Sequence, residues 1–373
     1  MKSVKVSTPS RICLFGEHLD YLHLDVIAMA IDIRFSAEIY PADDQWIKVN
    51  IFSENFEKPG DFSHQTFAQS FLLDYPYEYT HHQDFIKSTL NVIQRHYGQL
   101  EKGFQIDFYS QVPIGKGMSS SSTLIVVLIK AILEMIGHED ARDPERIAYL
   151  AYLAEVKEFN APGGMMDQYS SALGGLLHLD FSGEDAKPFM LNNRLPGVFI
   201  LFDSLQPKDT IRVLSHAKKP VVSAMEKLKN KGVQSLRDLK KDSDLPNEFK
   251  NELSYEEMTK LLTAIDNYSI LNEALVHFQA KEINGTYLGE LLSRHHRNLS
   301  QGLGISTPEI ESILTTAKEN GAWGGKINGS GGGGCCFVYC PEEKAINIKE
   351  AVSALGFPGR IIHMDKGVRC DES

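Results

Sequence analysis

Pro113-Ile-Gly-Lys-Gly-Met-Ser-Ser-Ser-Ser-Thr123 stands between a strand-like stretch, Phe104-Gln-Ile-Asp-Phe-Tyr109, and an apolar run of helical length, Leu124 to Ile136. How this junction is read decides the fold. Gly115 and Gly117 allow a backbone to approach a ligand closely, and the hydroxyl run Ser119, Ser120, Ser121, Ser122, Thr123 falls where a helix begins. A helix N-terminus carries free N–H groups and positive partial charge, which favour an anion there. Hydroxyls add ligands for phosphate oxygens or a metal ion. The spacing is not GxxxxGK[ST], so a P-loop nucleotidase is not indicated. Alone, the stretch is compatible with a phosphate-binding loop or with a plain capping turn.

Upstream, the text alternates as strands do: Val4-Lys-Val-Ser, Arg11-Ile-Cys-Leu-Phe, Asp25-Val-Ile-Ala-Met-Ala-Ile and Arg34-Phe-Ser-Ala-Glu-Ile-Tyr. Downstream, Asp143-Pro144-Glu145 has the order of an N-cap, a first-turn proline and a first-turn acid, and Ile147, Leu150, Ala151 and Ala154 make an apolar stripe at helical spacing. Glu155 falls on the edge of that stripe. Ala161-Pro-Gly-Gly breaks the chain before a short helix from Met165 to Leu173, and Gly174-Gly-Leu-Leu-His-Leu-Asp reads as turn then strand. A second half begins near Leu195-Pro-Gly with the strand Val198-Phe-Ile-Leu-Phe202. Helices ending near Lys241, Lys281 and Asn320 follow, then a glycine-rich loop, Gly324 to Gly334, and the strand Cys335-Cys-Phe-Val-Tyr. The pattern predicts an α+β protein of two closely joined lobes, residues 1–190 and 191–373.

With 373 residues, 42% of them hydrophobic, the chain can bury a sizeable core. No apolar stretch reaches bilayer length, and the start lacks a signal peptide's apolar core, so a cytoplasmic protein with no membrane partner is expected. The net charge of -11 argues against nucleic acid as a partner, because such binding neutralises phosphates with Lys and Arg. Lys218 to Lys241 is locally lysine-rich, but Glu226, Asp238 and Asp242 interrupt it and Met225, Leu228, Leu236 and Leu239 recur between, as on the solvated face of amphipathic helices. Five scattered cysteines give no disulfide framework, and no Cys/His spacing indicates a structural metal. Monomer and homodimer are both compatible with the sequence.

Four segments, in order, resemble the galactokinase-like branch of the GHMP kinases. Pro9-Ser-Arg11-Ile-Cys-Leu-Phe-Gly-Glu17-His18-Leu-Asp20-Tyr21 resembles the galactokinase N-terminal signature, and Pro113 to Thr123 resembles the family's phosphate loop. Gly164-Met-Met-Asp167-Gln168 resembles Gly-Ile-Met-Asp-Gln, and Lys326-Ile-Asn-Gly-Ser-Gly-Gly-Gly-Gly-Cys335 resembles the C-terminal glycine motif. The resemblance implies a two-lobed GHMP kinase fold, with an N-terminal mixed-sheet ATP-binding lobe, a C-terminal α/β-sandwich lobe and the active site between them.

It also implies an ATP-dependent kinase that phosphorylates the anomeric hydroxyl of a free sugar, with galactose first. By resemblance Asp167 is the general base and Arg11 its charged companion. Glu17, His18, Asp20 and Gly164 face the sugar, and Gly115, Lys116, Gly117, Met118, Ser119, Ser120, Ser121 and Ser122 hold ATP. Mg²⁺ falls to Glu155 with Ser121 first and Ser120 second, residue types that suit a hard cation. Ser10, Cys13 and Phe15 depart from the galactokinase Gly, Asn and Ile, and no tyrosine follows the strand ending at Phe202 where galactokinases place one against the sugar. Galacturonate, arabinose, a heptose phosphate or mevalonate as acceptor, and a sugar- and ATP-binding sensor without turnover, therefore stand as alternatives.

Overall fold

The computed structural model describes residues 3–54, 60–161, 163–183, 186–192, 194–208, 210–240 and 249–371. Strand β1 (Val4–Phe15) is buried along nearly its whole length and pairs antiparallel with the long β2 (Val26–Pro41). The sequence pattern suggests two short strands in each of these regions. The structure fuses them because Pro9, which cannot donate to a ladder, sits at a register shift between Pro9 and Ser10 that absorbs the missing N–H.

With β3 (Trp46–Ser53), β4 (His64–Leu72), β5 (Phe104–Ser110), β6 (Leu176–Asp180), β7 (Lys187–Met190) and a C-terminal β12 (Arg369–Cys370), they form an eight-stranded sheet ordered β12-β1-β2-β5-β3-β4. In it β6 pairs β2, and β7 pairs β6. The sheet is mixed: β3 runs parallel to β5, and the other pairs are antiparallel. Four helices cover it: α1 (Phe85–Tyr97), α2 (Ser120–Met135), α3 (Pro144–Tyr152) and α4 (Met166–Leu173). Helix α2 packs on β1 and β2 and is buried from Ser122 through Leu133 except at Leu124, which is why its sequence shows a run rather than a stripe.

A second, antiparallel sheet of four strands has the order β11-β8-β10-β9, with β8 (Val198–Asp203), β9 (Gly324–Ile327), β10 (Cys335–Cys340) and β11 (Gly359–Ile362). Its helices are α5 (Thr210–Lys229), α6 (Leu236–Lys240), α7 (Tyr255–Phe278), α8 (Gly285–Arg297), α9 (Pro308–Glu319) and α10 (Ala345–Ser353). The lysine-rich stretch forms α5 and α6, with Leu228, Leu236 and Leu239 buried; Lys241 and Asp242 lie outside the described residues. After β11 the chain crosses back to the first sheet. The Arg34 guanidinium holds this tail by donating to the carboxylate of Asp365, 2.6 Å away, and to the carbonyls of Lys366 and Gly367. Among the described residues no helix is long and apolar enough to cross a membrane.

Candidate active site

The site lies where the end of β1, the N-termini of α2 and α4, and the loop between β9 and β10 converge. In the phosphate-loop candidate, Gly115, Gly117 and Ser119 all have positive φ (71°, 79° and 56°), so the loop coils under the start of α2. At Gly117 the freedom of glycine is required: a methyl group there would lie 2.8 Å from the Asn328 carbonyl oxygen and 2.5 Å from the Lys208 ammonium. The Gly117 carbonyl accepts from Arg11 Nη1 at 3.0 Å and from Asn328 Nδ2 at 3.1 Å. Lys116 is bound to the four-stranded sheet, its Nζ 3.1 Å from Asp203 and its carbonyl 3.0 Å from Cys335 N. The Met118 carbonyl accepts from Ser10 Oγ at 2.7 Å.

Helix α2 begins without a side-chain cap, and the buried Ser119 hydroxyl has no partner among the described residues. Free N–H groups and an orphaned hydroxyl at a helix N-terminus are what an anion would satisfy. The Lys208 ammonium adjoins this loop with no hydrogen bond or ion pair among the described residues. Burial first, and then the charge of Arg11, lower its pKa to about 8. Sequence reasoning missed Lys208: a lysine in Pro207-Lys-Asp-Thr has no local mark of a site, and only the fold places it beside Gly117.

Glu155 sits in a π-helical turn, Leu153–Lys157, that follows α3. The wider turn swings its carboxylate under the serine run. One oxygen accepts from Ser121 Oγ at 2.5 Å, and the other accepts from Ser122 Oγ and Gln168 Nε2, each at 2.6 Å. Burial raises the Glu155 pKa, and these donors work against the rise. Ser121 and Glu155, expected together, are together. Ser122 joins them, whereas the Ser120 hydroxyl is not among the partners of Glu155. A buried carboxylate with two adjoining hydroxyls is a donor set suited to Mg²⁺.

Asp167 lies in the first turn of α4, where the helix dipole favours an anion. One of its oxygens accepts from Arg11 Nε at 2.8 Å and Nη2 at 2.7 Å. Arg11 is buried and Asp167 keeps 31% of its side chain exposed, so the carboxylate opens to the cleft. Burial works most strongly against the Arg11 charge, but the charge and hydrogen bond of Asp167, with the charges of Cys13 and Glu17, together outweigh it and the guanidinium pKa is raised.

The turn after β1 departs from expectation. Glu17 is buried; one oxygen pairs with the Lys326 ammonium, and the other accepts from the Gly329 N–H. Burial raises its pKa against these partners. His18 is also enclosed, with Nε2 3.1 Å from the Ser330 carbonyl and Nδ1 2.9 Å from the Tyr21 hydroxyl. A carbonyl only accepts, so Nε2 carries the proton and Nδ1 accepts from Tyr21. Burial pushes the His18 pKa down to about 4, leaving the ring neutral at pH 7. Both ring nitrogens of His18 are engaged, whereas each Glu17 oxygen, with one partner given to it, keeps a further lone pair as an acceptor. Lys326, Gly329 and Ser330 stand some 310 positions away in the chain, whereas Tyr21 is three positions from His18.

Asp20 fits the expectation better. One oxygen accepts from Tyr21 N at 2.9 Å, and the other has no hydrogen-bond donor among the described residues. Burial first, and then the Asp167 charge, raise the Asp20 pKa to about 6. Gly164 abuts this carboxylate, and a side chain at Gly164 would collide with it. Asp20 and Gly164 thus adjoin, the Asp167 charge acts on Asp20, and Arg11 links Asp167 to the Gly117 carbonyl of the phosphate-loop candidate.

Three family models match the chain: galactokinase galactose-binding signature over residues 2–41, GHMP kinases N terminal domain over 84–175, and GHMP kinases C terminal over 272–357. Mevalonate kinase of Thermococcus sibiricus is 26% identical over 353 residues, covering 92% of this chain and 90% of its own. Galactokinase of Pyrococcus furiosus is 26% identical over 368 residues, covering 94% and 93%. Among solved structures, galactokinase of Lactococcus lactis complexed with galactose superposes with a TM-score of 0.83 at 20% identity, covering 99% of this chain and 95% of its own. Mevalonate kinase of Methanococcus jannaschii gives 0.71 at 20% identity, covering 98% and 99%. At such identities the structural likeness speaks for the fold alone.

Proposed function

The chain belongs to the GHMP kinase family and is a phosphotransferase with that family's fold, and from this we propose that it moves the γ-phosphoryl group of ATP to the anomeric hydroxyl of a free sugar, galactose first. The observation that carries the reading is the Arg11–Asp167 pair, open to the cleft between the phosphate loop and Asp20. Asp167 takes the proton from the acceptor hydroxyl as that oxygen bonds to the γ-phosphorus. The bond from γ-phosphorus to the bridging oxygen breaks, and ADP leaves with the electron pair. Negative charge spreading over the transferred group meets Arg11, Lys208 and the N–H groups of α2, the electrostatic stabilisation such transfers depend on. Glu155 with Ser121, flanked by Ser120 and Ser122, would hold Mg²⁺, which neutralises phosphate charge when bound. Glu17 and His18, fastened to the C-terminal loop, stand with Asp20 and Gly164 as the acceptor-binding face.

Electrostatics favour a neutral polyol over mevalonate. The free oxygen of Asp20 asks for a donor and stands beside the Asp167 carboxylate, a poor neighbour for an acceptor's own carboxylate but a good one for a sugar hydroxyl. A panel of galactose, galacturonate, arabinose, a heptose phosphate and mevalonate, assayed by ADP release, tests this. Turnover with galactose is expected; turnover with mevalonate and with no free sugar would overturn the sugar assignment.

Two further outcomes follow from the charges. Asp20 has its pKa raised to about 6, so the folded protein holds that proton more tightly than the unfolded chain; ionisation there costs stability as pH rises through this window. For binding the sign is the reverse, because only the carboxylate has both oxygens as acceptors. The acceptor KM is expected to rise as pH falls through about 6, and Asp20→Asn to abolish that dependence; an unchanged profile in the variant would exclude Asp20 from the acceptor site. Lys208→Met is expected to lower kcat roughly 100-fold, as loss of one preorganised charge does. Arg11, Glu17, Asp167 and Cys335 bear on the Lys208 ammonium, whose pKa of about 8 predicts an alkaline loss of rate that Lys208→Arg moves upward. An identical alkaline limb in both proteins would exclude Lys208.

A further inference from the structure

Asn328 opens the loop between β9 and β10 and is fully buried. Its Oδ1 accepts from Cys13 N at 2.9 Å, and its Nδ2 donates to the Gly117 carbonyl at 3.1 Å and lies 3.3 Å from the Met118 sulfur. The amide orientation is unambiguous: Cys13 N–H can only donate and the Gly117 carbonyl can only accept. The Gly117 carbonyl also takes the Arg11 Nη1 donor, and Arg11 in turn grips Asp167. Gly329 closes the same corner, since a side chain there would come within 2.7 Å of that carbonyl.

We propose that Asn328 is a positioning residue that sets the conformation of the phosphate loop, and through Gly117 and Arg11 the orientation of Asp167. The inference rests on reading Pro113–Thr123 as the loop that holds ATP. One amide side chain thereby ties three segments, β1, the phosphate loop and the C-terminal glycine loop, into a single unit. A loop with three positive-φ residues has many alternatives open to it, and a fixed partner for the carbonyl at its centre removes most of them. Asn328 touches neither nucleotide nor acceptor in this scheme; its contribution is geometry.

N328D separates the loop bond from the rest of the contacts. The variant keeps size, shape and the acceptor for Cys13 N, but sets an oxygen against the Gly117 carbonyl. The introduced carboxyl can restore the lost donor only when protonated, which burial promotes at mildly acidic pH. Binding of Mg·AMPPNP measured by calorimetry is expected to weaken about 10-fold or more near pH 8, with most of the loss recovered near pH 5.5. Wild-type affinity at both pH values, or an equal loss at both, would overturn the proposal. N328A introduces no charge and serves if N328D does not fold: weaker nucleotide binding supports the role, and wild-type binding overturns it. Turnover of galactose by the wild type in the same series tests the sugar reading separately, since nucleotide affinity does not depend on which acceptor is right. A wild-type protein that did not bind Mg·AMPPNP would overturn both.

Discussion

Asp167→Asn is expected to lower kcat by about 10³-fold, within the range general-base removal gives, while ATP and sugar bind nearly as before. The substitution is nearly isosteric. The Asp167 oxygen that accepts from Arg11 Nε and Nη2 is replaced by an amide oxygen that still accepts, so Arg11 stays in place and keeps its hold on the Gly117 carbonyl. What is lost is the ability to take a proton as the acceptor oxygen attacks. Because that requirement arises only in the transition state, the loss falls on kcat and leaves KM largely alone. A variant that turned over at the wild-type rate would exclude Asp167 as the base and leave the Arg11–Asp167 pair a structural contact.

Lys326→Met is expected to destabilise the fold by about 3–5 kcal/mol, the cost of leaving a buried charge without its partner. The Lys326 ammonium is enclosed and donates to the Cys13 and Ile327 carbonyls at 2.9 Å each, in addition to Glu17. Methionine fills the volume but removes the donor to two carbonyls and leaves the Glu17 carboxylate with the Gly329 N–H and no countercharge. The double variant Glu17→Gln/Lys326→Met removes both charges, and is expected to recover part of the loss because no unpaired ion remains. Urea denaturation of the wild type, the two single variants Lys326→Met and Glu17→Gln, and the double variant reads this directly; an unchanged midpoint for Lys326→Met would contradict a buried ion pair at this position. Since Glu17 also holds the Gly329 N–H and the next residue, His18, holds the Ser330 carbonyl, the same pair fastens the acceptor turn to the second lobe.

Local chemistry was the readable part of this chain. The start of α3 followed from Asp143-Pro144-Glu145, and Asp143 does accept from Arg146 N at 3.0 Å. The buried α2 followed from its unbroken apolar run, although it begins at Ser120 rather than Leu124 because the hydroxyl run is its first turn, closed by Thr123 Oγ1 donating to the Ser120 carbonyl. Strand β4 left no comparable mark: every one of its residues is exposed or only partly buried, so no buried face imposes an alternation. Arg11, Glu155, Asp167 and the phosphate loop stood out as candidates because each lies in or near a motif of its own, and the fold brings them to one place. Lys208 carries none, and Lys326 and Asn328, although they open the C-terminal glycine motif, acquire their roles from partners brought close only by folding. The contacts of Glu17 and His18 with Lys326, Gly329 and Ser330 were likewise invisible in their own motif, because the C-terminal loop reaches them only on folding. Glu155 found Ser122 through a π-helical turn that hydrophobic periodicity does not reveal.

The most direct test of the phosphotransfer reading is the position of the phosphate in the product. The enzyme is incubated with ATP, Mg²⁺ and free galactose, and the product is examined by phosphorus and proton NMR. The prediction is a sugar 1-phosphate whose anomeric proton is split by phosphorus, formed in step with ADP. Phosphate on any other hydroxyl, or transfer to mevalonate with none to a free sugar, would contradict it.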